Sequence, residues 1–318
     1  MSVSASESKI RIGVDSPYKL KHPNRTVIEE TVRHDGVHFY TVRFPVLDSV
    51  PLRGKLLILH GYCEHSLMYY RIMESLTCLG YECLTFDQRG SGRTSLGKLR
   101  GIVGYPEDSV LWDVDKMIEV LWEQDNSPLK FGLVAHSMGG GIALKYLSQG
   151  KYRNIINSCC LVSPLILPSK ILEPNPLILF LGNVFSYIFP NIRIGKTTTT
   201  NADKFKIVTA SPEWQDYLNS EILCRDGGTL GQMCQMLRRG SSLAKNEFIC
   251  NPEIKILVLQ SRNDQIVSTE AVEQFYDKIQ VYNKQYVSVD GGHALFIESE
   301  ETYDIVLRCL EKFYQLEG

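Results

Sequence analysis

Apolar runs of five or six residues at 55–59, 81–86, 131–135, 158–162, 256–260 and 285–289 punctuate the chain. They are too short for core helices and nearly free of polar interruption, as strands buried on both faces should be. Between them, 106–122, 269–279 and 301–316 carry apolar residues at helical spacing. In the first of these, Val110, Val114, Met117, Ile118 and Leu121 share one side, and Pro106 suits a first turn. Upstream, 26–33 and 37–44 alternate apolar and polar residues about Asp35-Gly36, a hairpin signal. Strands alternating with helices, opened by a hairpin, predict an α/β protein with a largely parallel central sheet.

The alternation stops between Pro164 and about Asn251, where prolines and helical signals replace strand runs. We therefore expect a flexible leader over 1–21, an α/β core over 22–164 and 252–318, and a mainly helical cap inserted over 165–251. Within that insertion, Leu177, Ile178, Leu179, Phe180, Leu181, Val184, Phe185, Ile188 and Phe189 occupy almost a whole helical circumference, interrupted by Gly182, Asn183 and Ser186. A cap helix needs one apolar face for its own packing. The surplus is expected to line a tunnel or to dip into a lipid interface, although the stretch is too short to span a membrane.

Charge and cysteines narrow the setting. Lys plus Arg number 34 against 36 Asp plus Glu, a net charge of -2 that offers no general attraction to nucleic acid or anionic membranes. Nine cysteines contain no Cys-x-x-Cys pair, and Cys159 and Cys160 are neighbours in an apolar run, which predicts reduced thiols inside the cell. The first twenty residues are polar and broken by charge, and no stretch reaches membrane-spanning length. A cytoplasmic protein is expected, with at most peripheral membrane or lipid-droplet association.

The chemistry is expected to centre on Ser137. The run 131–135 meets the small-residue turn His136-Ser137-Met138-Gly139-Gly140-Gly141, after which helical spacing resumes. Such a strand-to-helix elbow stands a hydroxyl above the sheet, and its glycines let the two backbones pass closely. Ala135 stands one carbon away from the glycine usual at the first position of Gly-x-Ser-x-Gly. A serine hydroxyl is a poor nucleophile unless a base and a group orienting that base assist it. Six of the seven histidines precede Ser137, leaving His293, in the flexible Asp290-Gly291-Gly292-His293 turn, as the downstream base. Asp264, at the tip of the penultimate strand, is the expected orienting acid, with Asp290 as its competitor. The backbone N–H groups of Met138, at a helix start, and Tyr62, after the third strand, are the expected donors to an oxyanion. His60 reads as a structural loop residue. His60 and His65 lack a third metal ligand, and Gly90-Ser91-Gly92 lacks a dinucleotide pattern, so no metal or cofactor is expected.

These residues together resemble the monoacylglycerol lipase branch of the α/β-hydrolases, especially its fungal members. The resemblance rests on Leu57-Ile58-Leu59-His60-Gly61 with Glu64, on Thr85-Phe86-Asp87-Gln88-Arg89-Gly90-Ser91-Gly92, on the 136–141 turn, and on Asp264 and His293. It implies an α/β-hydrolase fold, Ser137 as nucleophile with Asp264 and His293 as partners, Tyr62 and Met138 as oxyanion donors, and hydrolysis of monoacylglycerols and other long-chain acyl esters. It also implies a cap that encloses an apolar tunnel and docks on membranes. Two positions depart from the pattern: Cys63 stands where relatives carry Gly, and Met68 where animal enzymes carry Arg. A broad carboxylesterase or amidase, and a hydrolase-like binding module, are the alternative readings; a peptidase would need cap carboxylates, for which Glu173, Glu213 and Glu221 are too scattered.

Overall fold

The computed structural model describes residues 13–122, 130–194, 205–224, 228–245 and 248–315. Among the described residues eight strands form one sheet: β1 (Ile28–His34), β2 (Val37–Phe44), β3 (Gly54–Leu59), β4 (Tyr81–Phe86), β5 (Lys130–His136), β6 (Ile156–Val162), β7 (Lys255–Ser261) and β8 (Asn283–Val289). Their order is β1-β2-β4-β3-β5-β6-β7-β8. The β1–β2 and β2–β4 pairs are antiparallel, and every pair from β4 to β8 is parallel. The hairpin turn holds Asp35 at φ 47° and Gly36 at φ 72°, the two positive values that match the twist of its strands.

The central strands read as continuous apolar runs because both faces are covered. Leu57, Leu59, Leu133, Cys159 and Val258 point into one core layer, while Leu56, Ile58, Val134, Cys160 and Leu257 point into the other. Adjacent Cys159 and Cys160 thus face opposite sides of the sheet, as successive strand residues must. No disulfide joins any of the described residues, which include all nine cysteines.

Eight α-helices are described: α1 (Tyr70–Cys78), α2 (Ser109–Trp122), α3 (Met138–Gln149), α4 (Pro176–Ile188), α5 (Pro212–Ser220), α6 (Leu230–Ala244), α7 (Thr269–Lys278) and α8 (Glu300–Gln315). Helix α2 starts three residues later than the pattern suggested, and the Ser109 N–H donates to the Pro106 carbonyl at 3.0 Å. Pro106 therefore sits in a turn ahead of the helix and not within its first turn. Of the expected leader, residues 1–12 lie outside the described residues. Residues 13–21 are tied to the body: the Val14 N–H donates to Glu221, and the Tyr18 hydroxyl and Lys21 N–H donate to Glu74.

Between β6 and β7 the chain makes α4, α5 and α6 and, among the described residues, adds no strand to the sheet. Helix α6 packs against α3, α4 and α7. Helix α4 is built inside out. Gly182, Asn183 and Ser186 face α6, where Arg238 Nη1 donates to Asn183 Oδ1 at 3.0 Å and to Ser186 Oγ at 3.1 Å. Ser186 is its buried residue, and Leu177, Ile178, Phe180 and Ile188 are each roughly two-thirds exposed.

Because β5, β7 and β8 run parallel, Ser137, Asp264 and His293 all fall just beyond the carboxyl ends of their strands, the edge where open α/β sheets place ligands.

Candidate active site

The elbow at Ser137 is a strained turn held by its neighbours. Its backbone sits at φ 52°, ψ −117°, a conformation rare outside glycine. The Ser137 N–H donates to the Val162 carbonyl at 3.1 Å, and its own carbonyl accepts from Leu165 N–H at 2.9 Å. A Cβ on Gly139 would stand 2.3 Å from the Leu59 carbonyl, and one on Gly140 2.7 Å from Pro164 Cβ, so both positions need glycine. Gly141 is less constrained, with its nearest contact at 3.2 Å. Ala135, fully buried, fits without a glycine. Ser137 itself keeps 7% of its surface exposed.

Asp264 and His293 meet across two loops. His293 Nδ1 lies 2.7 Å from Asp264 Oδ2, and the carboxylate side chain is wholly buried. Asp264 Oδ1 also accepts from the Ile266 and Val267 N–H groups at 2.8 and 2.9 Å. Burial opposes its ionisation, but the facing His293 ring and the two amides hold its carboxyl below the usual carboxylate range. Asp290, the competing acid, is exposed and pairs with Arg262 at 3.2 Å. The insertion braces the histidine loop: the His293 N–H donates to Ile207 O at 3.1 Å, and a Cβ on Gly292 would come within 2.6 Å of Val208 O.

A second imidazole–carboxylate pair lies alongside, and the sequence reading assigned it no role. His136 stacks near His293 with ring centroids 4.8 Å apart. Its Nδ1 is 3.0 Å from Glu64 Oε1, and its Nε2 reaches the His293 carbonyl at 3.3 Å. Glu64 also accepts from the Gly61 N–H at 2.6 Å and from the Tyr69 hydroxyl. Burial resists charge on both groups, yet each stabilises the other: the carboxyl is brought down to about 2 and the imidazole is raised. The partners are 72 residues apart, and no local spacing signals their meeting. Among the described residues the Ser137 hydroxyl makes no hydrogen bond; His136, which precedes it in the chain, stands between the elbow and His293 only in the sense that its ring lies beside that of His293.

Met138 opens α3, where its N–H has no intrahelical acceptor. Tyr62 lies in the loop after β3, beside the elbow: a Cβ on Gly61 would sit 3.0 Å from His136 Nδ1, and one on Gly139 2.7 Å from His60 O. His60 is satisfied locally, its Nδ1 2.8 Å from Gly61 O and its Nε2 accepting from the Gln88 N–H at 2.9 Å. Of the two departures, Cys63 adopts φ 58°, where glycine is unstrained. Met68 is buried, with its sulfur 3.6 Å from Cys224 Sγ.

A family model described as hydrolase family 4, serine aminopeptidase S33, matches residues 50–300. The chain belongs to this hydrolase family. Among relatives of the S33 chain, a monoglyceride lipase of Saccharomyces cerevisiae is 28% identical over 308 residues, spanning 93% of this chain and 95% of the relative. The solved structure of a soluble variant of monoglyceride lipase from the same yeast, in complex with a substrate analog, superposes with a TM-score of 0.84 at 25% identity, covering 95% of this chain and 98% of that one. The monoacylglycerol lipase of Paleococcus ferrophilus shares the fold at a TM-score of 0.71 and 20% identity, covering 88% of this chain and 99% of the other. The S33 chain is thus an α/β-hydrolase, as the resemblance implied.

Proposed function

We propose that this hydrolase cleaves the ester bond of monoacylglycerols, and of other long-chain acyl esters, through an acyl-enzyme on Ser137. The observation that carries the reading is the buried Asp264–His293 bond of 2.7 Å, set on the same sheet edge as the strained Ser137. Asp264 fixes the imidazole tautomer that leaves Nε2 available as base and stabilises the imidazolium that forms. His293 takes the Ser137 proton as Oγ attacks the ester carbonyl, and the oxyanion is held by the Tyr62 and Met138 N–H groups. Collapse breaks the ester C–O bond and returns the proton to the departing glycerol oxygen. Water, deprotonated by the same imidazole, then attacks the acyl-enzyme and frees the fatty acid and Ser137. The absent serine hydrogen bond is compatible with this, since such contacts often close only on substrate binding. The test is release of oleate from monoolein, with Ser137→Ala as control; a wild type no faster than that variant overturns the reading and favours a binding module.

The aminopeptidase in the family description favours a second substrate class, which would need carboxylates to hold a substrate amine. Glu221 is fully buried and accepts from the Val14 and Leu223 N–H groups at 2.8 Å each, while Glu173 and Glu213 are exposed. The observations therefore support the ester.

The segment 165–251 serves in this reading as the cap, and α4 as its contact with a membrane or lipid-droplet surface from the cytoplasmic side. Its outward apolar face supports this docking, and among the described residues no helix is long and apolar enough to cross a membrane. Phe185 and Phe189 stack with centroids 6.4 Å apart on that face. Replacing both with Ser is expected to release the protein from liposomes; unchanged binding sinks the docking role while leaving the chemistry intact.

A further inference from the structure

Arg239, on α6, is a buried cation with no carboxylate in contact among the described residues; Glu107 and Asp108 act on it only through space. It is 7% exposed, and among the described residues its guanidinium makes no hydrogen bond or ion pair. Its side chain runs past the elbow helix, with Cδ 3.9 Å from the place a Cβ on Gly141 would take. It faces a cleft of about 540 Å³ between α3, α6 and the 104–108 loop, and a narrower one bordered by Met138, Ile142 and Gln232. Beside it, Gln235 donates its amide to the Gly104 carbonyl at 3.1 Å, leaving its Oε1 buried and unpartnered.

The charge balance of the cleft does not cancel Arg239. The other charged groups facing it are Glu107, Asp108, Lys145 and Arg238. Glu107 is committed to Arg238 at 3.1 Å, and Asp108 is exposed. Burying a guanidinium unpaired is costly, and proteins usually match such a charge. Burial pulls its affinity for a proton down, but an arginine stays charged in proteins, so the cost is not escaped by neutralisation. What fits is an oxyanion supplied by a ligand. The walls point to the rest of that ligand: Tyr187 and Pro190 line the cap side, and from Tyr187 the surface continues onto the exposed apolar face of α4. The volume lies in the range of small-ligand pockets.

We propose that Arg239 and this cleft bind the oxyanion head of a single-chain amphiphile, a fatty carboxylate or an alkyl phosphate, whose chain lies toward α4. The head group is assigned to the larger cleft, which Met138 does not line, and the proposal does not rest on ester hydrolysis.

The test uses full-length Ser137→Ala protein, so that turnover plays no part, titrated calorimetrically at low salt with decanoate, decyl phosphate, decanol and inorganic phosphate. At least one alkyl anion is expected to bind, at least tenfold more weakly once Arg239→Gln is added, while decanol binds both proteins alike. The ratio of decanoate to decyl phosphate affinity tells a carboxylate site from a phosphate site. Failure of both alkyl anions to bind, equal binding to the two proteins, or inorganic phosphate matching the alkyl anions overturns the proposal. A second readout is thermal: without ligand, Arg239→Met is expected to raise the melting temperature by about 2 °C by removing an uncompensated charge. A lower melting temperature would make Arg239 a structural residue and overturn the site.

Discussion

Two histidines with rings 4.8 Å apart each face a buried carboxylate, yet they are wired differently. His136 is closed at both ends: Nδ1 to Glu64, Nε2 to the His293 carbonyl. His293 is bonded at Nδ1 to Asp264, and among the described residues its Nε2 has no hydrogen-bond partner, as the proposed base requires. An imidazole bound on both nitrogens is a strut, since moving its proton would break a bond that holds the fold. One bound on a single side is a relay. Glu64 makes the strut useful, because the same carboxylate grips the Gly61 N–H in the loop that carries Tyr62, so loop and relay histidine are located by one buried ion pair.

The largest separation between the pairs is expected from their acids. Asp264→Asn keeps an acceptor for the Ile266 and Val267 amides but loses the charge that selects the tautomer. kcat on a monoacylglycerol should fall about 10⁴-fold with a modest stability change. Glu64→Gln should invert that ratio. It strands a buried imidazolium and costs about 3 kcal/mol in denaturant unfolding. kcat should fall only about ten- to hundredfold, through misplacement of the Tyr62 loop, the proposed oxyanion donor, and of His293. Comparable kcat losses in the two variants would erase the distinction between relay and strut.

A pH titration of stability sharpens the same contrast. The Glu64 carboxyl is depressed to about 2, so its contribution is complete above the usual carboxylate range and is lost as pH falls toward 2. His136 is raised, which has the opposite sign: its contribution is complete below the ordinary imidazole range and is lost as pH rises through the higher folded value. Wild type should therefore lose stability as pH rises above the ordinary imidazole range, over a window that Glu64→Gln lacks. Parallel pH–stability curves for the two proteins would show that the strut carries no charge.

What could be read in advance follows from how local each signal is. The strand runs, the Asp35-Gly36 hairpin and the elbow are written in contiguous residues, and uniqueness downstream of Ser137 singled out His293. Asp264 was placed by its position past β7, a consequence of parallel topology. Glu64 was noticed only within a motif, because its meaning lies in a partner brought to it by the β3–β5 pairing. Arg239 left no trace, since an arginine on an amphipathic helix is ordinarily solvated and only the packed α3–α6 contact buries it. For α4, the apolar circumference was legible but the inversion was not: it requires Arg238 of α6 to claim Asn183 and Ser186.

The smallest effect probes the loop both pairs depend on without touching either. Cys63 lies between Gly61 and Glu64 at φ 58°, where a side chain is strained and glycine is not. The relief of that strain outweighs the extra chain entropy glycine brings to the unfolded state, because the penalty for a non-glycine residue there is about 1 kcal/mol or more. Cys63→Gly should accordingly raise unfolding stability by about 0.5 kcal/mol and leave the pH–stability curves of the Glu64 variants parallel to their parents. If the substitution instead shifts the window above the imidazole range, the loop conformation and the Glu64–His136 pair are coupled, and the strut extends one residue further than the hydrogen bonds indicate.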